Sequence, residues 1–166
     1  MKILINMGFS KTKISHTVHG ELPDGSNLKF AIVVSQWNKS ITEKLYEGSY
    51  NILLENNVSS DNILRIDVPG SFELIYGSKK AQDKGVDVVI SIGSIIKGET
   101  KHFDFICNAV SQGIKDLNIN SNVPVIFCVL TDDSFEQAKA RSGGKHGNRG
   151  VDAAIAALKM ASITKL

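Results

Sequence analysis

VDVVISIGSIIKGETKH, residues 86–102, reads as a strand, a loop and the start of a helix. Its first part, residues 86–92, is an almost unbroken β-branched run. Such a run suits a strand buried on both faces, as happens when helices cover both sides of a parallel sheet. Gly93 and Gly98 interrupt it, and from there Phe103, Ile106, Val110, Ile114 and Leu117 recur at helical spacing as one apolar stripe. That stripe should face the sheet.

Working outward, three more strand-length runs stand at residues 28–35, 62–68 and 123–130, with apolar cores such as IVV and VIFCV. Helical patterns separate them. The first covers residues 40–56 and opens on Ser40 and Glu43 at capping-box spacing. The second runs from Phe72 to a stop at Gly85, a position suited to a left-handed cap. A short helix at residues 134–141 leads through a glycine-rich loop, residues 142–150, into a final helix at 151–163. The alternation predicts an α/β sandwich of three layers, a four-stranded parallel sheet with helices on both faces. VDAAIAALKMA, in the last helix, is apolar around most of its circumference, so one face should pack on the sheet and another on something else, with a subunit interface the obvious candidate. Residues 1–27, with an alternating ILIN and a turn-like PDGSN, read as an extended arm preceding a single domain at 28–166.

At 166 residues a single domain can bury about 70% of the surface its unfolded chain exposes. The charge balance, 19 basic against 17 acidic residues, lacks the basic excess of a nucleic-acid or membrane-surface binder, so any cationic site is local. Cys107 and Cys128 sit in apolar segments and read as small buried hydrophobes of a reducing compartment. No run is long enough to cross a bilayer and the amino terminus lacks a signal-peptide pattern, so the cytoplasm is expected.

In an open parallel sheet, ligands bind beyond the carboxyl ends of the strands. There stand SQWN after the first strand, PGSFE after the second, GSIIKGETKH after the third and TDDS after the fourth. Four loops should therefore meet along one edge. Residues 93–100 approach the phosphate-binding pattern G-x-x-x-x-G-K-[ST], but Glu99 replaces its lysine, which argues against an ATPase or GTPase. The start of the following helix can still hold a phosphate through its backbone N–H groups, with the Glu99 side chain turned away. His102 falls in the first turn of that helix, whose dipole favours a neutral imidazole; it is either a proton carrier or a surface histidine on a helix end. Trp37, the single tryptophan, either fills core or stacks on a flat ring. Arg141 and Lys145 flank the glycine-rich loop as an anion clamp or as a solvated turn. Asp132 and Asp133 read as a turn or helix cap, and His16 and His19 as solvated residues of the arm rather than metal ligands.

Taken together, Trp37-Asn38, PGSFE at 69–73, GSIIKGETKH at 93–102, VPVIFCVLT at 123–131 and RSGGKHGNRG at 141–150 resemble the lumazine synthase family in order and spacing. The likeness extends from Phe30 to about Met160. It implies a flavodoxin-like fold and a transferase of riboflavin biosynthesis. Such an enzyme condenses 5-amino-6-(D-ribitylamino)uracil with 3,4-dihydroxy-2-butanone 4-phosphate to 6,7-dimethyl-8-ribityllumazine, phosphate and water. On the same resemblance Trp37 stacks on the pyrimidine, while Ser71, Phe72, Glu73, Ser94, Ile95 and Ile96 bind its edges and ribityl chain and Phe127 lines the pocket. Glu99, Thr100 and Arg141 hold the phosphate, and His102 moves protons. No cofactor and no metal are implied, and neither nucleic acid nor membrane is a partner.

Members of that family form pentameric rings, some closing into icosahedral shells, with Trp37, Glu73 and His102 supplied by one subunit and Phe127 and Arg141 by the next. This chain departs from the commonest pattern in having Lys97 for arginine, Ser71 for alanine and Trp37 for phenylalanine. Two rivals share the fold. A non-catalytic flavin or nucleotide binder gives no role to His102, and a shell or storage protein has no need of the complete set Glu73, His102 and Arg141.

Overall fold

Strand β1, Phe30–Ser35, is buried at every residue because it lies in the middle of the sheet with a hydrogen-bonded neighbour on either side. The structure, a computed structural model, describes residues 22–164. Its sheet has the order β2-β1-β3-β4, all parallel, with β2 at Ile63–Val68, β3 at Val88–Ile96 and β4 at Val125–Asp132.

α1 (Lys39–Glu55) and α5 (Arg149–Ile163) cover one face, around Phe30, Ile32, Val34, Ile90 and Ile92. α2 (Leu74–Gln82) and α3 (His102–Ile119) cover the other, around Ala31, Val33, Val89 and Val129. The expected three-layer flavodoxin-like sandwich is therefore present. The stripe of α3 packs as its period requires: Val110 and Ile114 are buried, with Ile106 and Leu117 packed beside them. α4, Phe135–Arg141, and a small antiparallel pair, β5 (Ser142–Gly144) with β6 (Gly147–Asn148), fill the segment before α5.

Four local expectations differ from what is found. β3 runs on through Gly93, Ser94, Ile95 and Ile96, which read as loop, because β4 offers ladder partners as far as Ile96↔Asp132. Gly93 interrupts nothing in that strand. It is needed because the segment after β2 closes on it, and a Cβ there would stand 2.8 Å from Ser71 Oγ and from Leu74 Cδ1. The capping box is absent: Asn38 caps α1 in a left-handed conformation, φ 55° and ψ 43°, while Glu43 turns to a bidentate pair with Arg65 at 2.6 and 2.9 Å. Asp132 ends β4 and neither it nor Asp133 caps α4; Ser134 does, accepting from Gln137 N at 3.3 Å.

The second apolar face of α5 is covered by α1 of the same chain rather than left for another subunit. Its alanines, Ala153, Ala154, Ala157 and Ala161, are buried, and the two helices approach so closely that a Cβ on Gly150 would collide with the Leu45 carbonyl oxygen. Ser49 donates to the Gly150 carbonyl at 2.8 Å across the same contact.

Gly85 has φ 70°, as its place after α2 predicts. The turn at PDGSN is closed by Leu28 N donating to the Gly25 carbonyl at 2.9 Å, whereas most of the proposed arm, with His16 and His19, lies outside the described residues. Among the described residues no helix is long and apolar enough to cross a membrane.

Candidate functional site

The chain leaves β1 for one side of the sheet and returns to the other, so β1 and β3 lie side by side with α1 and α3 on opposite faces. A crevice opens where the strand order reverses. Here it is a cavity of about 600 Å³, lined by the ends of β1, β2 and β3 and the first turns of α3.

Trp37 forms its rim. The backbone N–H groups of Gln36 and Trp37 donate to the carbonyls of Val68 and Pro69 at 2.9 and 3.3 Å, and the Asn38 amide donates to the Ser94 carbonyl at 2.9 Å. Those bonds fix the backbone while the indole stays 69% exposed, which rejects the core-filling alternative. Ser71 and Ser94 are buried beside it, and the Ser94 hydroxyl has no partner among the described residues. Phe72, Ile95 and Ile96 add apolar surface, and Glu73 is held by Gly70 N donating to its carboxylate at 2.9 Å.

His102 is the first residue of α3, exposed at the mouth of the cavity, where its backbone N–H donates to Thr100 Oγ1 at 3.3 Å. Thr100 and Gly98 line the cavity, whereas Glu99 is exposed and does not. The first-turn N–H groups of α3 give this end of the cavity a positive potential without a lysine. Asn38, Pro69 and Gly70, in the SQWN and PGSFE segments expected at this edge, line the cavity too, and so do Phe103 and Ile106, which the sequence assigns to the sheet-facing stripe of α3. Both roles are compatible, because at the start of a sheet-facing stripe a side chain reaches past the strand end.

Phe127 and Arg141 lie elsewhere. They line a second cleft, about 420 Å³, running along the free edge of β4 and the start of α5 with Asp132, Arg149 and Asp152. Thus the loops after β1, β2 and β3 converge on the first cavity in one chain, and the TDDS segment, though bonded to Lys97, does not line it. Phe127 is 43% exposed because β4 is an edge strand with no neighbour on that side. Arg141 Nη1 donates to the Gln137 carbonyl at 3.1 Å and lies 3.7 Å from Asp132 Oδ1. Burial pushes the Asp132 carboxyl above its usual range, the Arg141 charge opposes this and the Asp133 charge adds to it. Burial likewise pushes the Cys128 thiol up to about 12, which rules out a thiolate nucleophile there near neutral pH. Both cysteines are free, Cys128 buried and Cys107 half-buried.

The first cavity offers a flat aromatic rim to a ring, hydroxyls and a carboxylate to hydrogen-bonding groups, and a histidine at its mouth that can move a proton. The second, with Arg141 and Arg149, can take an anion. A sequence model of the 6,7-dimethyl-8-ribityllumazine synthase family matches residues 27–165. The chain is 56% identical to the 6,7-dimethyl-8-ribityllumazine synthase of Christiangramia forsetii over 87% of each chain. It is 53% identical to that of Flavobacterium johnsoniae over 95% of this chain and 83% of the relative. Against that of Cytophaga hutchinsonii the identity is 56%, over 87% of this chain and 92% of the relative. With a match over nearly the whole described fold, the chain belongs to the 6,7-dimethyl-8-ribityllumazine synthase family and is an enzyme of the transferase class.

Proposed function

We propose that the chain condenses 5-amino-6-(D-ribitylamino)uracil with 3,4-dihydroxy-2-butanone 4-phosphate to give 6,7-dimethyl-8-ribityllumazine, inorganic phosphate and water, the penultimate step of riboflavin synthesis. The observation that carries this reading is the grouping of Trp37, Glu73 and His102 around one cavity at the sheet's reversal point. The uracil ring stacks on Trp37, its edges meet the 71–73 and 94–96 segments, and Glu73 takes hydroxyls of the ribityl chain.

The 5-amino group attacks the ketone carbonyl and loses water to form an imine. Loss of the proton from the carbon bearing the free hydroxyl then expels phosphate from its neighbour and leaves an enol. The enol takes up a proton at its terminal carbon to become a ketone, which closes the second ring with the ribityl-bearing nitrogen and a second loss of water. Substrates and product are at the same overall oxidation level. Each step moves a proton, and in this reading His102, which lines the cavity, carries it. Holding the two reactants together supplies much of the remaining acceleration.

Arg141 and the 99–100 backbone take the phosphate in this reading. Arg141 and Thr100 stand in different clefts of one chain, so we propose further that the site is completed by the next copy in a homo-oligomeric, pentameric ring. Exposed Tyr76, Phe105 and Ile119 on α2 and α3 support a covered face there. The activity is tested by incubating the protein with both substrates and following lumazine fluorescence and phosphate release together; absence of either product refutes it. The shared site is tested separately with inactive His102→Ala and Arg141→Ala chains, unfolded and reassembled in equal amounts. A head-to-tail interface regenerates about a quarter of wild-type sites. If the particles assemble and activity stays at the level of the separate mutants, both residues serve one subunit's site.

A further inference from the structure

The second cleft contains a carboxylate that the proposed reaction does not use. Asp132 is the last residue of β4 and is 5% exposed, yet its Oδ2 has no hydrogen-bond partner among the described residues. A buried carboxylate oxygen left unpaired is costly, so a group of this kind is expected to serve a charge nearby. The cation paired with it is Arg141, whose Nη1 lies 3.7 Å from Asp132 Oδ1. That same nitrogen donates to the Gln137 carbonyl at 3.1 Å, whereas Nε and Nη2 donate no hydrogen bond among the described residues. One edge of the guanidinium is thus held by the protein, and two other donors are left for an incoming anion.

Resting on the reading of Arg141 as a phosphate ligand, we propose that Asp132 is a positioning residue that acts through Arg141, a fixed counter-charge that weakens its grip on phosphate so that the product anion can leave. A guanidinium already facing a carboxylate shares its charge between two anions, and the buried one cannot be screened away by salt as an exposed one is. The neighbouring pair supplies the contrast. Asp133 lies 3.7 Å from Lys97 Nζ, but both side chains are more than half exposed. Asp133 therefore carries the same formal charge one residue away without the burial or the contact to Arg141.

Replacing the Asp132 side chain leaves the backbone ladder intact, since it is the Asp132 carbonyl that accepts from Lys97 N at 2.9 Å. The experiment compares wild type, Asp132→Asn, Asp132→Ser, Asp133→Asn, Arg141→Ala and the Arg141→Ala/Asp132→Asn double variant, all first matched for assembly by sedimentation. Inorganic phosphate is the probe, read as its inhibition constant against the ketone phosphate and by direct calorimetric binding.

Both Asp132 variants should bind phosphate about threefold to fivefold more tightly than wild type, on the scale of one partly exposed ion pair. The KM of the ketone phosphate should fall in step, and that of the uracil should stay. Asp133→Asn should change neither, and Asp132→Asn should have no effect once Arg141 is alanine. Weaker or unchanged phosphate binding in the Asp132 variants overturns the proposal, as does equal tightening in Asp133→Asn or persistence of the effect without Arg141. If Arg141→Ala alone leaves phosphate binding unchanged, it is the reading of Arg141 that fails, a result distinct from the others. A merely structural role for Asp132 would not tighten one ligand and spare the other.

Discussion

The two clefts of this chain sit around the ends of adjacent strands and differ in nearly every property that matters to a ligand. The first, at β1, β2 and β3, is lined by Trp37, Phe72, serines, Glu73 and His102, and contains no lysine or arginine. The second, at β4 and α5, is lined by Arg141, Arg149, Asp132, Asp152 and Phe127, and contains no histidine. One offers an aromatic rim, hydroxyls and, at the start of α3, backbone N–H groups; the other offers arginines and carboxylates. A reaction between a ribitylaminouracil and a phosphorylated ketone needs both, which is why the division within one chain argues for completion by a second copy. The same division lets each half of the proposed chemistry be perturbed separately.

The largest effect is expected at His102, the proposed proton carrier of the first cleft. His102→Ala should slow turnover by roughly one to three powers of ten while leaving uracil binding nearly unchanged, because a proton carrier acts mainly in the transition state. Single-turnover lumazine formation, alongside uracil binding by fluorescence, checks both halves. Unchanged turnover makes His102 a bystander on a helix end.

The second cleft should respond in binding. If Arg141 binds the phosphate as proposed, Arg141→Ala removes a charge-assisted contact of about 1.5–3 kcal/mol, so the KM of the ketone phosphate should rise roughly tenfold to a hundredfold. The uracil KM should not move. Equal weakening of both substrates would mean that the partition between clefts is not functional and that assembly or folding has suffered instead.

How far this partition was legible in the sequence depends on the kind of interaction that sets it. The β-branched runs of β1 and β3 and the stripe of α3 were readable because burial on both faces of a sheet, or on one face of a helix, imposes a period on the chain itself. Trp37, Ser71, Glu73 and His102 could be placed at strand ends for the same reason, once the strands were assigned. What could not be read was set by contacts distant in sequence. Glu43 looked like a capping residue, yet it pairs with Arg65 from another element. The surplus apolar surface of α5 looked like a subunit interface, yet α1 covers it through the close approach at Gly150. Ile95 and Ile96 looked like loop because their ladder partners, Thr131 and Asp132, belong to the next strand. The separation of Arg141 from His102 within one chain was not visible from residue order at all; only the family resemblance suggested it.

A milder change sharpens the picture of the first cleft. The indole of Trp37 stands mostly in solvent, so replacing it tests ring stacking with little effect on the core. Trp37→Ala should raise the uracil KM by about threefold to tenfold, the scale of one aromatic stacking contact, and Trp37→Phe should stay within about threefold of wild type. The ketone phosphate KM serves as the internal control. If Trp37→Ala leaves the uracil KM unchanged, the rim tryptophan does not bind the ring.

The smallest expected effect belongs to neither cleft. Glu43 on α1 holds Arg65 on β2 in a two-pronged pair, both side chains 28% exposed, and the guanidinium also lies over the Tyr46 ring at 4.3 Å. The hydrogen bonds from Arg65 hold the Glu43 carboxyl below its ordinary 4.5, against the opposing effect of burial. The folded state therefore releases this proton more readily than the unfolded state. Over the window in which only the unfolded form is protonated, stability rises with pH. The contribution is fully present above about pH 5 and is lost as pH falls through the lowered folded value. Glu43→Gln should accordingly lower stability by about 1 kcal/mol or less at pH 7, where a partly exposed pair is worth little. Towards pH 3 the gap should close, because a protonated glutamate and a glutamine present nearly the same group to Arg65. Urea midpoints at fixed protomer concentration measure this, since the proposed assembly would make the midpoint concentration-dependent. KM values for both substrates should be unaffected at pH 7. A gap that stays constant from pH 7 to pH 3 would show that packing around Tyr46, rather than the charge of Glu43, holds α1 against β2.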